Sequence, residues 1–153
     1  MALRITSAAL PEQPETPIDP VAAELERAQL LAVRASAVLT QGDTTAYLAL
    51  FDEAAAIEHD VYRYYGRRLL LEQGFAALAR VSDRTAVATL LTMAHAIVTV
   101  LEAEPAEPVM LNYGGVIFYE LWSLNAAQSL FDAARRLDPD LPHLERNIES
   151  LRE

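Results

Sequence analysis

The chain has no cysteine and no lysine, and Val and Ile together fill only 16 of its 153 positions. The missing thiols exclude disulfide scaffolds, Cys-ligated zinc and thiol catalysis, and they suit a reducing compartment, so a cytoplasmic location is expected. Without lysine all twelve cations are arginines, each a planar fork suited to carboxylates and aromatic faces. Scarce β-branched residues beside 50 Ala and Leu argue against a β fold and for helices. A surplus of positive charge is also lacking. Twelve basic residues against 22 acidic ones give a net charge of −10, which repels nucleic acid and anionic lipid headgroups.

What is present is one domain's length of helical punctuation. Residues 1–18 carry Pro11, Pro14 and Pro17 among acidic residues and are expected to be a disordered, proline-rich lead-in rather than a signal peptide. Asp19-Pro20 then reads as an N-cap with proline at the first helical position. A long helix to about Gln41 follows, with Val21, Leu25, Ala28, Leu31, Ala35 and Val38 on one face. Gly42-Asp43 ends it and opens a second helix from Thr44 to about Ile57, which makes an antiparallel hairpin with the first. In Glu58-His59-Asp60 we read a polar turn, with Asp60 capping the next helix. Further helices are expected over about 61–80, 84–103 and 109–122.

The fourth of these carries no formal charge from Thr85 to Leu101, the lower limit for crossing a bilayer, but His95 and four threonines favour a helix packed on several faces. Asn125, with Gln128 three residues on, has the spacing of a capping box for a sixth helix to Leu137. Pro142 opens a short last helix, to Arg152, giving seven helices and no strand.

The hairpins repeat. Leu31, Val38, Phe51 and Ala54 recur eighty residues later as Leu111, Phe118, Phe131 and Ala134, with Gly115 matching Ala35. The third unit runs Leu111, Gly114, Gly115, Phe118, Tyr119, Ala127, Phe131, Ala134 and Leu137-Asp138-Pro139, and it resembles a tetratricopeptide repeat. It departs from that pattern at Leu111, where tryptophan is common, and at Trp122, where a turn glycine is usual. The first unit has Tyr47 at a small-residue position and His59 in place of the closing proline. The middle unit keeps Tyr62, Tyr65, Gly66 and Leu69. The resemblance implies an all-α fold, an α-solenoid of about three hairpin units over residues 19–153 with a C-terminal capping helix.

Catalytic and metal chemistry find no support in the residues. His59, His95 and His143 lie in different units without ligand partners, and Gly114-Gly115 lacks the strand and lysine of a phosphate loop. No cofactor or metal is expected.

The one concentration of cations, Tyr62-Arg63-Tyr64-Tyr65-Gly66-Arg67-Arg68, places Arg63 and Arg67 on one helix face, and Tyr64 with Arg68 on another. In the resembled family the first helices of successive hairpins line a concave groove. Carried over, this implies a groove formed by Arg63 and Arg67 with Gln29 and Ser36 from the first unit and Asn112, Val116 and Tyr119 from the third. Such a groove would hold a protein or peptide segment by its carboxylates. The alternative for the arginines is pairing with the chain's own acids. The function expected is therefore a non-enzymatic protein-binding module. A second reading is an accessory or regulatory domain of a larger enzyme such as a glycosyltransferase, and a third is a homodimer formed through an exposed apolar flank.

Overall fold

A computed structural model describes residues 19–152, so the expected disorder of residues 1–18 falls outside the described residues. Among those described there are seven α-helices and no strand: α1 Pro20–Thr40, α2 Thr44–Ala55, α3 Asp60–Leu78, α4 Asp83–Ala103, α5 Pro108–Glu120, α6 Leu124–Leu137 and α7 Leu144–Ser150. The Asp19 carboxylate accepts from the Val21 amide ahead of Pro20, and Asp43 accepts from the Ala46 amide at the start of α2. Ser82 caps α4 through the Thr85 amide.

Two expected caps are corrected. Asp60 is not a cap: His59 holds that position, and the amides of Glu58 and His59 donate to the Glu24 carboxylate of α1 instead. The Glu24 carboxylate thus holds the turn before α3 rather than its first-turn amides, and Asp60 pairs with Arg63 at 2.5 Å. Asn125 lies inside α6, whose N-cap is Ser123, and Gln128 turns to Asp132, so no capping box forms.

The most extensive helix contacts are α5 with α6, which are neighbours along the chain, and α1 with α3, which are not. The first relies on missing side-chain volume. At Gly115 a Cβ would overlap the Phe131 ring, so only glycine lets α5 and α6 approach this closely. Ala28 of α1 is fully buried against Gly66 of α3. The middle of the fold shows a compensation. Tyr47 of α2 is wholly buried and its hydroxyl donates to the Leu70 carbonyl at 2.7 Å. Room for it comes from Gly74, where a Cβ would stand 2.6 Å from the Tyr47 oxygen and 2.7 Å from the Met93 sulfur.

Buried apolar residues form two clusters. The larger spans α1 to α5 and includes Leu31, Leu39, Tyr47, Leu70, Met93 and Ile97, whereas the smaller joins α5, α6 and α7 through Leu111, Ala127, Phe131, Ala134, Leu144 and Ile148. Leu101 and Phe118 pack against both. The apolar α4 is covered on one broad face only. It is long and apolar enough to cross a membrane, a third of its most apolar window is buried, and Val87, Leu91 and Val98 are exposed along it.

Candidate binding face

Arg63 and Arg67 sit one turn apart on α3 and both point at Glu104, the residue that ends α4 before Pro105. Each takes one of the two carboxylate oxygens. Arg63 spends its remaining donors on Asp60 and on the carbonyls of Ile57 and Glu58, at 2.9 and 3.0 Å. Asp60 and Glu104 raise the Arg63 pKa above its ordinary value, chiefly by accepting its hydrogen bonds. Arg67 is buried, with only 7% of its side chain exposed. Within the described residues, the two arginines therefore meet the chain's own acids. They fasten the end of α4 and the start of the proline linker to α3.

The next residue, Arg68, faces an open cleft. Its Nε donates to Glu72 Oε2 at 2.8 Å, and the Tyr113 hydroxyl of α5 donates to the same oxygen at 2.6 Å. Burial, and then this bond to a carboxylate, push the Tyr113 pKa up to about 12. The phenol is thus a donor at neutral pH. Arg68 meets both Glu72 and the Tyr113 hydroxyl, and 43% of its side chain is exposed. Arg68, Val109, Asn112, Tyr113 and the turn Leu141–His143 line a cleft of about 330 Å³.

The other sequence-predicted residues fall in separate places. Gln29 is exposed on α1. Ser36 borders an open depression of about 440 Å³ between Val33, Ala37 and Thr40 of α1 and Gln73 of α3. Asn112 is buried and its carbonyl oxygen accepts from the Asn147 amide of α7 at 2.9 Å. Val116 and Tyr119 are half-buried beside Asn147 and Ser150. The structure thus brings Arg63 to Arg67, and Asn112, Val116 and Tyr119 to α7, while Arg68 rather than Arg63 or Arg67 shares a cleft with Asn112.

Arg68, Glu72, Gln73 and Tyr113 were not among the expected groove residues. The signal for Arg68 was its spacing of four from Glu72, which marks a face distinct from that of Arg67. Nothing local marked Tyr113, whose partner lies 41 residues away. Among the described residues no group of three or more His, Asp or Glu is placed to hold a metal ion. Comparison of the chain with protein-family models, with curated proteins and with solved structures returns no match.

Proposed function

We propose that the chain is a non-enzymatic protein-interaction module built of tetratricopeptide-like hairpins, with α1–α2, α3–α4 and α5–α6 as units and α7 as the closing helix. It binds an extended, carboxylate-bearing segment of a partner protein across α1, α3 and α5 in the cytoplasm. The observation that carries this reading is Arg68, a partly exposed guanidinium that lines a cleft with Asn112 and Tyr113. A second depression, bordered by Ser36 of α1 and Gln73 of α3, is the other seat we propose for such a segment.

An array of extended peptides about ten residues long, varied in acidic content and in free or amidated C-termini, tests this directly. Acidic peptides should be retained, and Arg68→Ala should weaken them by about tenfold, the worth of one charge-assisted contact. Arg63→Ala should leave retention unchanged and lower the melting temperature. Equal retention by wild type and Arg68→Ala would remove the cleft from the reading.

A second reading rests on α4, where Val87, Leu91 and Val98 form an exposed apolar stripe that a second copy of the chain could cover. Light scattering of wild type and Leu91→Glu at two concentrations separates the two readings, since only pairing through α4 makes the mass depend on Leu91.

A further inference from the structure

Helix α4 carries two charges against its own dipole. Arg84 lies in its first turn, next to Asp83, and Glu102 in its last, where the dipole favours an acid at the start and a base at the end. Both are exposed, and neither has an ion-pair partner among the described residues. They close a row of exposed residues, Arg84, Ala88, Leu91, His95, Val98 and Glu102, whose alternating steps of four and three are those of a coiled-coil seam. The threonines beside the row satisfy their hydroxyls within the helix. Thr92 donates to the Ala88 carbonyl at 2.9 Å and Thr99 to that of His95 at 3.0 Å, so a partner can cover them without stranding a donor.

Reversed, the row is its own complement. Laid antiparallel on a second copy about an axis at the level of Met93, Arg84 of each chain meets Glu102 of the other, Ala88 meets Val98, and Leu91 meets His95. A cation then faces an anion at both ends, and a small residue faces a larger one inside them. Parallel pairing would set Arg84 against Arg84 and Glu102 against Glu102, and a shift by one heptad would leave both ends unpaired. We infer that α4 pairs with α4 of a second copy of this chain, antiparallel and in the register that joins Arg84 to Glu102 at both ends. This rests on the second reading, that a copy of the chain covers α4, and adds the direction and register of the pairing. The row is about 27 Å long, short for an interface of about 800 Å² a side, so a weak dimer is expected, with a Kd on the order of 10–100 μM. The net charge of −10 on each copy acts in the same direction.

Sedimentation equilibrium of the full chain, from about 10 μM to about 1 mM, reads the dimer. Arg84→Glu sets like charges against each other at both ends and should weaken it by about tenfold or more, as should Glu102→Arg. A one-to-one mixture of these two variants should recover the dimer, because each supplies the charges the other lacks. The double variant Arg84→Glu/Glu102→Arg should match wild type within about threefold. Both changes put a charge where the helix dipole favours it, so neither should lower the melting temperature. Leu91→Glu should abolish the dimer. If it does, while the charge variants dimerise like wild type or the mixture and the double variant stay monomeric, the copies meet in another direction or register. The inference then falls and the second reading stands. Wild type that stays monomeric at about 1 mM overturns both. Flotation of that monomer with neutral phosphatidylcholine vesicles, lost in Leu91→Glu, would then assign the row to lipid.

Discussion

The two apolar clusters solve the same packing problem by different means. In the smaller one, glycine and aromatic face each other across a hairpin of consecutive helices, Gly115 on α5 and Phe131 on α6, and the partners are sixteen residues apart. In the larger one the tight approach is between α1 and α3, and the volume Tyr47 needs on α2 is released by Gly74 on α3. The first is a local arrangement and the second a correlated one, in which a bulky residue in one helix is tolerated only because a distant position gave up its side chain. A cluster built locally should fail locally, and a correlated one should fail as a whole.

The sharpest way to break the comparison is Gly115→Val. Its branched side chain would have to displace the Phe131 ring, and we expect a loss of about 3 kcal/mol or more in chemical denaturation, with the fault confined to α5–α7 in hydrogen exchange. Gly74→Ala adds a single methyl and should cost less, about 1–3 kcal/mol: the flexible end of Met93 can yield, and the cost lies in the Tyr47 hydroxyl, which is held on the Leu70 carbonyl. Its effect should spread over α1 to α4. If both variants lose protection over the same residues, the two clusters are one cooperative unit.

Glu104→Gln leaves two arginines facing one neutral amide, and we expect about 2–4 kcal/mol of destabilisation, read from the urea midpoint. Asn147→Ala removes the acceptor's partner at Asn112 and should cost about 1 kcal/mol, in the smaller cluster only.

The high-pH limb sharpens the contrast further. Tyr113 titrates near 10.0 when unfolded and is pushed up to about 12 in the fold, and buried Tyr47 is raised as well. A folded pKa above the unfolded one means that the stabilisation is complete below pH 10.0 and is lost as the pH rises towards about 12. Tyr113→Phe should flatten that loss partly, leaving the share due to Tyr47.

The smallest expected effect has the opposite sign. Trp122 has a left-handed backbone, φ 62°, with 85% of the residue exposed, so Trp122→Gly should raise stability by about 1 kcal/mol.

What the sequence made legible follows the same division. Helix starts marked by Asp19-Pro20 and Asp43 could be read because their causes lie within a few residues. The all-helical class was readable from composition for the same reason. The shared face of Arg63 and Arg67 was readable but their partner was not, because Glu104 lies 41 and 37 residues away and nothing in the local pattern selects it among 22 acids. The cap at Asp60 was misread for a like reason, since the Glu24 carboxylate that serves the preceding amides comes from another helix. Trp122 at the usual turn-glycine position was visible as a departure, and the positive φ gives its physical meaning.

The short α7 lies over apolar surface that α5 and α6 would otherwise show to solvent. Leu144 and Ile148 seal the flank of Leu111 and Phe131, and Asn147 ties that seal to Asn112. A version truncated before Leu144 would leave this apolar flank of α5 and α6 to solvent, and its apparent mass in light scattering should then climb with concentration more steeply than that of the intact chain.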